Sequence, residues 1–103
     1  MNLNEASARA YEIAVKRNQY KGDGKDTIRA LKYCAGEVIE AMDAYGRWCN
    51  EGYFTTKEDF ENELADVIIC ILSISGSEGI DIEQAISRKM LINEGRVKNG
   101  LCQ

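Results

Sequence analysis

Two acidic pairs share one internal spacing: Glu37-Val-Ile-Glu40 and Glu63-Leu-Ala-Asp66. Both lie in stretches that read as helix, where residues three apart are surface neighbours at about 5–6 Å between Cβ atoms, so each pair aims two carboxylates the same way. Four gathered carboxylates repel one another and call for a cation, and hard oxygen ligands of this kind suit Mg²⁺, with Mn²⁺ as substitute, bound together with substrate phosphates. At about 100° per residue, Leu31, Cys34, Ala35, Val38, Ala41, Met42 and Tyr45 form one apolar stripe centred near Val38, with Glu37 and Glu40 about 100° and 160° to one flank. The later stripe, Phe60, Leu64, Val67, Ile68 and Ile71, is centred near Leu64 and carries Glu63 and Asp66 at the same offsets. Antiparallel packing through these stripes puts all four acids on one side of the helix pair. A solvated face of an amphipathic helix is the plain alternative for one such pair; the matched flanks weigh against it.

A third stretch adds cations. Ile82, Ala85 and Ile86 define a core-facing stripe whose continuation falls on Lys89, Asn93 and Arg96. Lys and Arg are seldom buried unpaired, so the run suggests a lined cavity; the competing reading is a helix that outruns the core, with cations near its C-terminus.

Glu37-x-x-Glu40, then Glu63-x-x-Asp66, then Lys89-x-x-x-Asn93-x-x-Arg96, all on helices, resembles the MazG-like branch of the all-α nucleoside triphosphate pyrophosphohydrolases. The likeness runs from about Thr27 to Arg96. It implies an all-α, four-helix MazG-like bundle completed by assembly into a homodimer or homotetramer. It further implies Mg²⁺ held by Glu37, Glu40, Glu63 and Asp66, with Lys89, Asn93 and Arg96 facing the phosphates. The implied activity is hydrolysis of (d)NTP to (d)NMP and pyrophosphate, a nucleotide-pool housecleaning role. A phosphoribosyl-ATP pyrophosphohydrolase or a dUTPase-like member would use similar ligands, and a non-catalytic oligomeric helical scaffold stays open. The segment before Thr27 matches no part of the pattern and leaves the base unassigned.

Such hydrolysis needs neutralised phosphates, an activated water and a stabilised leaving group. Lys89 and Arg96 suit the leaving pyrophosphate, Arg through its planar fork. With no His in the chain, the proton acceptor is a carboxylate, Glu40 as the candidate, or a metal-bound hydroxide. Tyr33 shares a helical stripe with Arg29, Glu37 and Glu40, one turn from the acids, and is the candidate for touching a base or phosphate. Trp48 shares the angle of Glu37 but lies about 16 Å further along the axis at 1.5 Å per residue.

These groups must be positioned by helices. The chain has 103 residues, nine Gly and no Pro, which fits one domain spanning 1–103. Gly22-Asp23-Gly24 separates a first helix, about 4–20, from a second that starts near Asp26 or Thr27 and runs to about Cys49, ended by Asn50-Glu51-Gly52. Thr55-Thr56-Lys57-Glu58 reads as a capping box opening a third helix to Ile74, broken by Ser75-Gly76-Ser77-Glu78-Gly79. Asp81, with Gln84 three residues on, opens the fourth, which ends near Asn99-Gly100. Ile69 lies opposite the Leu64 stripe, so the third helix is apolar nearly all round; such a helix is buried nearly all round, which calls for a second subunit.

Seventeen acids against thirteen bases give a net charge of −4, with no basic run to track a nucleic-acid polymer. Cys34, Cys49, Cys70 and Cys102 form no C-x-x-C and read as reduced thiols, Cys34 in the core and Cys70 near the acids. The longest apolar run, Val67 to Leu72, falls short of the roughly 20 residues that cross a bilayer, and no signal-peptide core opens the chain. The expectation is a cytoplasmic protein without membrane partners.

Overall fold

The computed structural model describes residues 2–50 and 56–100, and these are all-helical, without a strand. The elements are α1 (Leu3–Lys16), α2 (Asp26–Asn50), α3 (Lys57–Glu78) and α4 (Ile82–Lys98). No helix among the described residues is long and apolar enough to cross a membrane. The Glu51-Gly52 break, Thr55 and Cys102 lie outside the described residues.

Local signals account for the helix starts. Asn2 caps α1 by accepting from the Glu5 N–H, and Asp81 caps α4 through Gln84. The capping box of α3 uses Thr56 and Asp59, one residue later than the sequence pattern suggests. Asp59 reaches back to the Thr56 N–H at 2.9 Å while the Thr56 hydroxyl accepts from the Asp59 N–H at 3.2 Å.

α3 does not end at Ile74. It continues to Glu78 and stops at Gly79, whose φ of 67° makes it a left-handed cap. The Ser75-Gly76-Ser77 run is therefore helix, and Gly76 is there for contact instead of a break. A Cβ at Gly76 would lie 2.7 Å from both the Ser7 carbonyl oxygen and the Tyr11 Cβ, so its absence lets α1 lie directly on α3. The buried serines of this region need partners, and they have them: Ser7 Oγ donates to the Leu72 carbonyl at 2.7 Å, and Ser73 Oγ to that of Cys70 at 2.8 Å.

α3 is the central element, packed against both α1 and α2, which do not pack along each other. The buried apolar residues are small except for Leu72: Ala10, Ala14, Cys34, Ala41, Ala44 and Cys70. The seam between α2 and α3 follows a heptad-like spacing, Cys34, Glu37, Ala41 and Ala44 on α2 against Phe60, Glu63, Val67, Cys70 and Ile74 on α3, all buried or half-buried. This corrects the expected packing. Val38, Met42, Leu64, Ile68 and Ile71, which the stripes assign to the core, are exposed in the single chain. On both helices the seam is rotated by about 80° from the stripe centre toward the acids, at about 100° per residue. The physical reason is size on the α2 side, where small Cys34, Ala41 and Ala44 let Phe60, Val67 and Ile74 of α3 pack close against the helix.

α4 packs along neither α2 nor α3 and has no buried residue. Its N-terminal end is pinned to α1: Asn4 donates to Asp81 at 2.9 Å and accepts from the Ile82 N–H at 3.1 Å, and Leu3 N–H donates to Glu83 at 2.8 Å.

Candidate metal centre

The rotation of the seam is what gathers the acids. Glu37 stands in the α2 seam and Glu63 in that of α3, with Asp66 one turn beyond Glu63. One carboxylate oxygen from each of the three lies within 4.8 Å of the others. Mg²⁺ takes oxygen ligands at about 2.1 Å, so neighbouring ligands stand about 3 Å apart and the three side chains would have to draw inward to hold it. Glu37 is only 8% exposed, and Oε2 of Glu37 and Oε2 of Glu63 are buried without a hydrogen-bond partner. Buried carboxylate oxygens are ordinarily paired, so two orphans in one cluster require an explanation.

Glu40 is exposed and stands outside this trio, but it faces the same charge. Its carboxyl is raised above the usual range first by Glu37, then by partial burial, Glu63 and Asp66. The structure thus brings all four acids to one side of the helix pair, three of them with oxygens within 4.8 Å of one another. Tyr33, one turn before Glu37, is also perturbed: a hydrogen bond to the Glu37 carboxylate, and then the charge itself, raise the phenol above its ordinary value.

A cavity of about 280 Å³ adjoins the acids, with Glu37, Asp66, Tyr33 and Cys70 on its wall. Cys70, predicted near the acids, is there as a structural thiol. Burial first, then Cys34 and Glu37, push it up to about 11, and its Sγ lies 3.6 Å from the Ala30 carbonyl oxygen as donor. Cys34, Cys49 and Cys70 are free thiols.

Lys89, Asn93 and Arg96 are placed elsewhere. They lie on α4, where Arg96 Nη1 donates to Asn93 Oδ1 at 3.4 Å, and none of them lines the cavity that holds Glu37 and Asp66. Trp48 belongs to an aromatic group at the far end of the seam, stacked on Phe60 with ring centroids 5.9 Å apart and edge-on to Tyr45 at 6.0 Å.

Two residues on the cavity wall, Arg17 and Gln19, come from the segment in which the sequence showed no motif. Only Asn18, a residue type that tolerates left-handed backbone, marks this turn in the sequence; its φ is 59°. No protein-family model matches the chain, and neither does any curated protein or solved structure.

Proposed function

We propose that this protein is a metal-dependent nucleoside triphosphate pyrophosphohydrolase of the MazG-like kind. The observation that carries the reading is the pair of orphaned, buried oxygens on Glu37 and Glu63 within a three-carboxylate cluster. An ungathered solvated face would leave both oxygens in water; burying them without partners is costly unless a cation is bound. Hard oxygen donors of this number fit Mg²⁺ or Mn²⁺ better than softer metals.

Glu37, Glu63 and Asp66 would hold the cation, with Glu40 at its edge. When bound, it would neutralise phosphate charge and polarise the α-phosphorus. Tyr33 orients the Glu37 carboxylate through its hydroxyl. Glu40, exposed beside the cluster, is the group to accept the proton as water attacks the α-phosphorus. The α–β phosphoanhydride then breaks, leaving nucleoside monophosphate and pyrophosphate.

Self-association belongs to the same reading. The chain exposes 7613 Å², against about 5,800 Å² expected for a compact monomer of this mass. The excess is larger than the roughly 800 Å² that each partner buries in a standard interface. A groove lined by Val38, Met42, Leu64 and Val67 offers such a surface, and α4 presents Met90, Leu91 and Ile92 unburied. Lys89, Asn93 and Arg96 can act on phosphates at the acid cluster if a second copy brings its α4 to it.

The deciding experiment is incubation with a panel of (d)NTPs and Mg²⁺ in ¹⁸O-labelled water. Pyrophosphate release with label in the monophosphate is the expected result. Orthophosphate with nucleoside diphosphate would place attack at the γ-phosphate and overturn the reading.

A further inference from the structure

Where α1 lies on α3 it leaves an apolar groove along one flank, on the side of α3 away from Leu64 and Val67. Ala6, Ala10 and Ile13 of α1 and Ile69 and Leu72 of α3 line it, together with Arg9, around a volume of about 300 Å³. Ile13 and Ile69 are about half exposed. Ala10, Ile13 and Ile69 also line the cavity that holds Glu37 and Asp66, so the groove leads toward the acids.

A groove of this kind takes the apolar face of a helix, and one helix of the chain has no seat. α4 carries no buried residue. Its Ile82, Ile86, Met90 and Val97 fall within about 80° of one another at about 100° per residue, and Met90 is 59% and Val97 72% exposed. The chain does not offer this groove to its own α4. Around α1 the buried stripe is Ser7, Ala10 and Ala14. Asn4, which bonds Asp81 and Ile82 at the start of α4, lies about 90° to one side of that stripe, whereas Ile13 and Arg9 lie about 90° and 130° to the other. The body of α1 therefore stands between α4 and the groove.

We propose that the groove is filled by α4 of a second copy, each chain giving this arm to the other in a closed two-fold exchange. The surface suffices: 7613 Å² exceeds that of a compact monomer by more than the roughly 800 Å² that a standard interface takes from each partner. Charge fixes the direction. With the arm parallel to α1 and the partner's Met90 level with Ile13, equal rise per residue brings the partner's Glu83 within a turn of Arg9 and the partner's Glu94 level with Arg17. The partner's Asn93 and the partner's Arg96 then reach the acid cavity beyond Ile13. The reverse direction would carry the partner's Glu83 to the acids and the partner's Arg96 to Arg9, like charge against like. In a single chain no α4 side chain lines the acid cavity; the exchanged pair gives that cavity its missing wall.

The exchange does not depend on the chemistry at the acids, and its test needs no activity. p-Benzoylphenylalanine in place of Met90, in subunit-exchanged mixtures of ¹⁵N-labelled and unlabelled chains, reports which surface the arm meets. Irradiation should join position 90 to peptides covering 6–13 or 69–72, with heavy and light peptides linked to each other. Links confined to one chain would mean that the arm folds back on its own α1, and links to the groove of Val38 and Val67 would seat it there; either result overturns the proposal. Met90→Glu changes a side chain that is exposed in the single chain and should keep its helical circular dichroism. In sedimentation it should raise the dissociation constant by about tenfold or more, because a charge enters a dry contact. A variant that associates as wild type does, or a monomeric wild type, would also overturn the exchange. Nucleotide assays answer separately: hydrolysis without an exchanged arm leaves the proposed function standing, and an exchanged arm without hydrolysis upholds the interface alone.

Discussion

A glutamate that is 8% exposed with one oxygen unpaired works against folding. Leaving a buried polar group without a partner costs about 1–3 kcal/mol, more when it is charged. On the proposed reading Glu37 is a ligand, and its replacement separates stability from activity. Glu37→Gln, and likewise Asp66→Asn, should retain helical circular dichroism while losing Mg²⁺-dependent pyrophosphate release by about 100-fold or more, since even groups that merely support a ligand cost roughly 10–100-fold. Wild-type activity in either variant would remove the metal centre from the proposal. The same site predicts a ligand effect on stability. A cation at about 100 times its dissociation constant should add about 2.7 kcal/mol, seen as a higher melting temperature in Mg²⁺ or Mn²⁺, and Glu37→Gln should lose most of that increment.

At the scale of the element, Gly76 separates close contact from helix propensity. Alanine is normally the better helix residue by about 1 kcal/mol, and Gly95→Ala, whose Cβ would meet nothing within 4 Å, should gain on that account. Gly76→Ala should lose, because its Cβ would sit 2.7 Å from the Ser7 carbonyl oxygen and the Tyr11 Cβ and force α1 away from α3. Overpacking of this kind typically costs about 1–3 kcal/mol, and each kcal/mol corresponds to about 4–8 °C of melting temperature in a domain of this size. Thermal unfolding of the two variants should move in opposite directions.

Carboxylates at the helix starts also set an acid limit. Asp26 is held below the usual carboxylate range first by the Lys21 N–H and then by that of Gly22, Asp59 by the Thr56 N–H and hydroxyl, and Asp81 by the Asn4 side chain and the Gln84 N–H. A carboxyl depressed in the folded state stabilises fully above its unfolded pKa of about 3.9 and loses that contribution as pH falls through the folded value. Melting temperature should therefore drop on acidification below about pH 4, and Asp81→Asn should flatten that drop.

For the whole molecule the issue is unfinished burial. The radius of gyration is 16.3 Å, against about 13 Å for a compact chain of 100 residues, and Met42 is 65% and Leu91 68% exposed. The groove residue Met42 is the probe: Met42→Lys places a charge in a contact that association would make dry. Light scattering should show wild type as a dimer or larger at micromolar concentration and the variant shifted toward monomer, with a melting temperature that no longer rises with protein concentration. A monomeric wild type would refute self-association and with it any phosphate role for Lys89, Asn93 and Arg96 across subunits.

Helix number, most helix limits and the meeting of the acids were legible in the sequence, because caps, periodicity and equal flanks are local properties that a chain carries in its order of residues. Asp81, which caps α4 through Gln84, acts within three residues of itself, whereas the first helix stops at Lys16 and not at residue 20. Which face of α2 and α3 would be buried was not legible, since the choice between a bulky stripe and a narrow seam of Cys34, Ala41 and Ala44 depends on how closely two axes can approach. The same holds for Gly76, which reads as a breaker until α1 lies on it, and for Arg17 and Gln19, which carry no pattern and reach the acids only because Tyr20 folds their turn onto Ser73. Periodicity records what a helix offers; only the tertiary structure decides which neighbour takes it, because that depends on contacts between residues far apart in the chain.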